Sequence, residues 1–167
     1  MTVVEHKATA PSSVRCFIIT VSDTRTMDDD ASGQAITQLL TAAGHVVTGR
    51  TVVKDDPDMV HSTVERHLAD VGVQVIITTG GTGITSRDST YEAISTLLEK
   101  RLDGFGELFR MLSYQEIGPA AMMTRALAGL VARRIVIALP GSPGAVRLAL
   151  EKLVLPEIGH LVQQASK

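Results

Sequence analysis

Residues Ile76-Ile77-Thr78-Thr79-Gly80-Gly81-Thr82-Gly83-Ile84-Thr85-Ser86-Arg87-Asp88 constrain this chain more than any other stretch. An apolar, β-branched run ends in a loop of three glycines. An Arg-Asp pair follows, and a helical pattern opens near Ser89-Thr90-Tyr91-Glu92-Ala93. The order is strand, glycine turn, helix. Glycine lacks Cβ, so its backbone reaches φ > 0 and brings N–H groups against a ligand. A helix that starts just beyond adds unpaired donors and a partial positive charge. The guest that suits such a cradle is an anion, most commonly phosphate. The loop is not a Walker motif, because no Gly-Lys-Ser/Thr follows it, and Gly-Gly-Thr-Gly lacks the dinucleotide spacing G-x-G-x-x-G. A ligand-free strand-to-helix connection would have the same pattern. Asp88 bears on the choice, because a carboxylate beside a phosphate cradle repels the anion unless a metal ion lies between them.

The chain has 167 residues, enough for one domain that buries roughly 70% of its unfolded surface without a disulfide or metal staple. A net charge of −2 argues against a general nucleic-acid binder. The single cysteine, Cys16, excludes an internal disulfide framework and fits a reducing compartment, so a cytoplasmic location is expected. Cys16 sits in an apolar run and reads as a buried, inert thiol. No apolar run reaches the length of a membrane span. Residues 1–13 are polar, show no secretory signal, and read as a loose tail before a single domain over 14–167.

Strand-like runs alternate with helical patterns. Strands are expected over Arg15–Val21, Val46–Val53, Val73–Thr79 and Arg134–Leu139. Helices are expected over Ser32–Ala43, Asp56–Val71, Thr90–Lys100, Gly104–Ile117 and Ala145–Gln164, the last bent or broken at Pro156. The alternation implies βαβ units, a largely parallel sheet and a three-layer α/β/α domain. Ligands of such sheets bind beyond the carboxyl ends of the strands. The loops Ser22-Asp23-Thr24, Gly80–Gly83 and Pro140–Gly144 should therefore open on one edge. That convergence points to a site more strongly than any single loop does.

Asp88 either holds Mg²⁺ on a phosphate or caps the following helix. Arg87 either meets a phosphate or is solvated. Asp56 suits a helix cap beside Pro57, which leaves Asp55 as the functional candidate. Asp28-Asp29-Asp30 would put Gly33 at the sixth position of an EF-hand loop, but the twelfth is Leu39, so a solvated, helix-starting turn is expected. The five histidines form no zinc pattern. Ser22 has no elbow motif that would make it a nucleophile. Met111, Met122 and Met123 read as core filling.

Several further segments carry a resemblance. Val21-Ser22-Asp23, Thr79-Gly80-Gly81-Thr82-Gly83 with Arg87-Asp88, and Thr90-Tyr91-Glu92-Ala93 are followed in order by Gly104-Phe105-Gly106-Glu107-Leu108-Phe109-Arg110, Leu112-Ser113-Tyr114-Gln115-Glu116-Ile117-Gly118, Thr124-Arg125-Ala126 and Leu139-Pro140-Gly141-Ser142-Pro143. From about residue 14 to the C-terminus the chain resembles the MoaB/MogA family of molybdenum-cofactor synthesis. Phe105–Gly118 is closer to MoaB than to MogA. Where family members often carry proline, Lys54 and Tyr91 stand here, and Thr124 replaces a usual serine while keeping the hydroxyl.

The resemblance implies the three-layer molybdopterin-binding fold in trimers or hexamers. It also implies Mg²⁺-dependent transfer of AMP from ATP to the terminal phosphate of molybdopterin, with release of pyrophosphate. On this basis Ser22, Asp23, Thr79, Gly80, Gly81, Thr82, Gly83 and Arg87 belong to the nucleotide and substrate site. Ser113, Thr124, Pro140, Gly141, Ser142 and Pro143 would contact pterin or nucleotide. Asp55 and Asp88 would be the catalytic, metal-associated carboxylates. Two alternatives stay open: a protein that binds molybdopterin without chemistry, and a nucleotide pyrophosphatase or amidase domain on the same scaffold. The second is weakened by the Leu112–Gly118 and Pro140–Pro143 matches.

Overall fold

The computed structural model describes residues 2–167. Its centre is a six-stranded sheet in the order β2-β1-β3-β6-β5-β4, built from β1 (Arg15–Val21), β2 (Val46–Val53), β3 (Val75–Thr79), β4 (Lys100–Arg101), β5 (Leu127–Val131) and β6 (Arg134–Leu139). The first four strands in that order run parallel, and β5 and β4 add an antiparallel edge. Every residue of β3 is buried, as expected of a strand covered on both faces. Successive side chains of β3 enter opposite layers. Val75 and Ile77 pack with α2 (Ala31–Ala42), α5 (Asp103–Ile117), α6 (Pro143–Ala149) and α7 (Leu155–Ala165), while Ile76 packs with α3 (Pro57–Leu68) and α4 (Thr90–Ser95). The expected three-layer, mostly parallel α/β architecture is the one observed.

Several elements differ from expectation, each for a local reason. The helix expected over Thr90–Lys100 ends at Ser95, because Lys100 and Arg101 pair with Leu130 and Gly129 of β5. β5 itself has no strong strand signature in sequence. Its hairpin with β6 turns at Ala132 and Arg133, both at positive φ (47° and 61°), a conformation normally announced by Asn-Gly or Asp-Gly. The helix over Asp56–Val71 stops at Leu68, and Val71 is exposed. The expected final helix is interrupted, not at a kink but by a π-helical segment over Leu150–Val154 that leads into α7, where Pro156 supplies no N–H. Met111, Met122 and Met123 are not core residues. They are exposed on α5 and on the 3₁₀ turn Gly118–Met123 that follows it.

Residues 1–13 were expected to be loose, yet Val3–Ala8 forms a helix, α1, with a Thr2–Glu5 capping box. Lys7 pairs with Glu157 of α7, and Gln163 Nε2 donates to Thr9 Oγ1 at 2.7 Å. No residue of α1 is buried, so polar contacts with α7 hold it, and a hydropathy pattern could not foretell them.

The acidic run before α2 is only partly solvated. Asp30 is 2% exposed. It accepts from Gly33 N–H (3.0 Å) as the cap of α2, from Thr20 Oγ1 (2.7 Å) and from Arg50 Nη1 (3.0 Å). One carboxylate thus ties α2, β1 and β2 together. Arg50→Met would leave that charge buried and unpaired. A loss of about 2 kcal/mol is expected in urea denaturation, below the range for a fully buried pair because the Arg50 side chain is 20% exposed.

Candidate functional site

The strand order places a topological switch between β1 and β3, since β2 lies on one side of β1 and β6 on the other side of β3. The crevice beyond such a switch is where ligands of open α/β sheets bind. The Gly80 loop fills it. Gly80 has φ +101°, and its N–H donates to Leu139 O of β6 at 2.9 Å. A Cβ on Gly80 would lie 2.2 Å from Val21 O, the last carbonyl of β1. Thr79 Oγ1 donates to Pro140 O at 2.8 Å. The ends of β1, β3 and β6 are therefore clamped together, as the three-loop convergence required.

Gly80–Gly83, Asp88, Thr124 and Pro140–Ser142 line a cleft of 450 Å³. Ala120 and Met123 of the 3₁₀ turn close one side of it. The sequence motifs gave no sign of that wall, because both residues lie between two matched segments. Thr124 lines the cleft, but its Oγ1 is buried and has no hydrogen-bond partner within the protein. Ser142 caps α6 through its Oγ, which accepts from Ala145 N–H at 3.2 Å, and Pro143 opens that helix. Ser113 is buried on the inner face of α5 and does not line the cleft. A separate cavity of 470 Å³ lies by the amino ends of the strands, between α1 and α7. It includes Lys7, His45 and His160 and none of the predicted site residues.

The carboxylates divide their tasks. Asp56 caps α3, accepting from Met59 N–H at 3.0 Å. Asp55 is 8% exposed, and its Oδ1 accepts from Ser89 N–H (3.1 Å) and Ser89 Oγ (2.6 Å). It therefore reaches across from the end of β2 to the start of α4. Asp88 does not cap α4. Its Oδ2 accepts from Thr85 N–H (2.8 Å) and Thr85 Oγ1 (2.7 Å), which turns the carboxylate back toward the glycine loop. Asp88 Oδ2 lies 2.7 Å from the point a Gly83 Cβ would occupy, and Asp55 Oδ2 lies 3.0 Å from the corresponding point on Gly81. The two carboxylates thus flank one short stretch of backbone, each with one oxygen already engaged. Among the described residues, no group of three or more His, Cys, Asp or Glu side chains is arranged to hold a metal ion.

Arg87 does not line the cleft, and its exposed side chain is anchored at the surface instead of being left free in solvent. Its guanidinium grips Asp23 through two bonds (Nε to Oδ2 2.9 Å, Nη2 to Oδ1 3.0 Å) and also donates to Asp55 O at 3.0 Å. That bond holds the Asp23 carboxyl below its usual range and raises Arg87. Asp23 Oδ1 also accepts from Asp55 N–H at 3.1 Å, so this pair sets the position of Asp55. Ser22 Oγ accepts from the N–H groups of Thr24 and Arg25 and shapes the same turn.

Arg125 is a site residue that the sequence motifs did not single out beyond its place beside Thr124. Its N–H donates to Thr82 O and its Nε to Gly83 O, both at 2.9 Å. The guanidinium also pairs with Glu92 and stacks over Tyr91, 4.9 Å from the ring centroid. The hydrogen bond from Arg125 keeps the Glu92 carboxyl below its ordinary value. Cys16 is fully buried, and burial pushes its thiol up to about 12, in keeping with an inert cysteine.

The match to known proteins covers the same ground. Residues 17–160 fit the family model described as a probable molybdopterin binding domain. The chain belongs to this family of α/β proteins, of which MoaB and MogA are members. It is 53% identical to molybdenum cofactor biosynthesis protein B of Bacillus cereus, over 96% of each chain. A solved structure of molybdenum cofactor biosynthesis protein B is 52% identical, covers 94% of this chain and 98% of its own, and has a TM-score of 0.91. The tungsten cofactor synthesizing protein MoaB of Pyrococcus furiosus is 39% identical, covers 95% and 100%, and has a TM-score of 0.85. A MogA structure is more distant in sequence, at 29% identity, with 90% and 99% covered and a TM-score of 0.81. The greater nearness to MoaB agrees with the Phe105–Gly118 segment.

Gly81 has φ +71°, and a Cβ there would lie 2.2 Å from Thr90 Oγ1. Gly81→Ala is expected to cost about 2 kcal/mol or more in urea denaturation, through left-handed strain and that collision. A loss under about 0.5 kcal/mol would mean that the loop rearranges freely.

Proposed function

We propose that this protein acts in molybdenum-cofactor synthesis as a molybdopterin adenylyltransferase, with molybdopterin and ATP as substrates and Mg²⁺ as cofactor. The observation that carries the reading is the placement of Asp55 and Asp88 against the Gly81–Gly83 backbone, with Asp88 lining the cleft at the switch point. Two carboxylates set against an anion-binding loop make chemical sense with a cation between them. The family match and the relatives named for molybdenum cofactor biosynthesis support the pathway and the pterin.

The donor set fits Mg²⁺, which takes one or two protein carboxylates and completes its octahedron with phosphate oxygens and water. Asp55 Oδ2 and Asp88 Oδ1 are free of protein hydrogen bonds and would hold it. When bound, the ion supplies charge neutralisation as negative charge builds on the phosphates. The chain does the positioning. The Gly81–Gly83 N–H groups cradle nucleotide phosphates, while Thr124 and the Pro140–Ser142 loop hold the second substrate in the same cleft. A terminal phosphate oxygen of the pterin attacks the α-phosphorus of ATP. The new P–O bond forms as the bond from the α-phosphorus to the bridging oxygen breaks, and pyrophosphate leaves with that electron pair. No general base is required, because the phosphate nucleophile is already ionised near neutral pH. Orientation and preorganised electrostatics therefore account for the catalysis.

The reading includes self-association into trimers or hexamers. Leu108, Met111, Tyr114, Ile117 and Met122 leave an apolar face exposed on α5 and the turn after it, the kind of surface that a partner copy would cover. It also includes a reducing cytoplasmic setting, which suits the buried free thiol of Cys16. No helix among the described residues is long and apolar enough to cross a membrane.

Asp88→Ala is expected to abolish formation of adenylyl-molybdopterin from ATP, Mg²⁺ and molybdopterin, followed by mass, while circular dichroism and melting temperature stay near the wild type. Wild-type turnover by Asp88→Ala would remove the catalytic assignment. Tight pterin binding by the wild-type chain without product would make the protein a carrier.

A further inference from the structure

Thr90 opens α4 directly behind the glycine loop and is fully buried. Its backbone N–H donates to Gly81 O at 3.0 Å. Its hydroxyl, by contrast, has no hydrogen-bond partner. Such a hydroxyl gains no protein hydrogen bond for its burial, and a valine of nearly the same shape is expected to be more stable in its place. A buried polar group without a protein partner calls for an explanation.

The surroundings supply the explanation. Thr90 Oγ1 and Asp55 Oδ2 lie 2.2 Å and 3.0 Å from the single point where a Gly81 Cβ would stand. Both oxygens therefore border the hollow that the glycine leaves behind the loop. Asp55 is gripped on one side only, with Oδ1 held by the N–H and hydroxyl of Ser89 and Oδ2 accepting from no described residue. A donor without an acceptor thus lies beside a charged acceptor without a donor.

We propose that Thr90 is a positioning residue for Asp55. Its hydroxyl donates to Asp55 Oδ2 when a divalent cation and phosphate load the loop. The carboxylate is then held from both sides, by Ser89 and by Thr90, with the remaining Oδ2 lone pair turned toward the cation. The motion required is a χ1 rotation of Thr90 between staggered rotamers. The requirement for glycine at position 81 follows as well, since any side chain there would separate the two oxygens. The inference rests on the reading of Asp55 as a metal-bearing carboxylate.

The test compares Thr90→Val and Thr90→Ser with Asp55→Asn as the reference. It reads melting temperature and the affinity for Mn²⁺ in the presence of ATP, the latter from the electron paramagnetic resonance signal of free Mn²⁺. Neither readout needs turnover. Thr90→Val is expected to melt about 3 °C higher and to bind Mn²⁺ about tenfold more weakly. Thr90→Ser should keep wild-type affinity, and Asp55→Asn should lose at least as much as Thr90→Val. If Thr90→Val binds as tightly as wild type while Asp55→Asn does not, the positioning role is overturned and the reading of Asp55 stands. If Asp55→Asn also binds as tightly, that reading falls and takes the role of Thr90 with it. A Thr90→Ser variant as weak as Thr90→Val would assign the effect to the methyl group, and a lower melting temperature for Thr90→Val would show the hydroxyl already bonded in the unloaded chain. Either result overturns the proposal.

Discussion

Gly80 is pressed so closely against the end of β1 that a methyl group on it would stand 2.2 Å from Val21 O, and its N–H is spent on Leu139 O of β6. That contact makes the carboxyl ends of three parallel strands a single rigid edge. With φ +101°, the chain leaves β3 in a direction that L side chains rarely adopt. The loop that follows lies across the switch point instead of running back over the sheet. Asp88, Thr124 and the Pro140 loop are then drawn to one cleft, with Asp55 against the Gly81 backbone, although they are far apart in sequence.

Charge at this edge is arranged around the same loop. Arg87 binds Asp23 and the Asp55 carbonyl, and Arg125 binds the Thr82 and Gly83 carbonyls as well as Glu92. Both arginines brace backbone, and both have their charge answered by a carboxylate. On the proposed reading, positive charge for a phosphate comes mainly from loop N–H groups and from a cation. Asp55 and Asp88, each left with one free oxygen, border the loop. A cleft with paired arginines and half-free carboxylates suits a metal-bound polyphosphate better than a bare anion.

Much of this was legible in the residues. β1, β2 and β6 begin and end where their apolar runs do, and Asp56 caps α3 as the Asp-Pro pair foretold. What escaped was set by distant partners. The helix after the glycine loop stops at Ser95 because Lys100 and Arg101 are recruited by β5, and β5 turns through Ala132 and Arg133 without the usual turn residues. α1 forms with no buried residue, held by Glu157 and Gln163 from the other end of the chain. Met111, Met122 and Met123 read as core because hydropathy cannot tell a core from an exposed apolar face.

From the sequence by itself came the βαβ order, the parallel sheet, the three strand-end loops and the family. These follow from local periodicity, from glycine and proline, and from short motifs, all of which are written along the chain. Only the tertiary structure decided which way each charged group faces. It turned Arg87 onto Asp23, placed Ser113 off the cleft, made Ala120 and Met123 its wall, and left the Thr90 hydroxyl without a partner beside Asp55. Spacing can bring an arginine or a threonine to the right edge of a sheet. The direction of its side chain depends on partners from other strands, and that pairing exists only once the sheet is assembled.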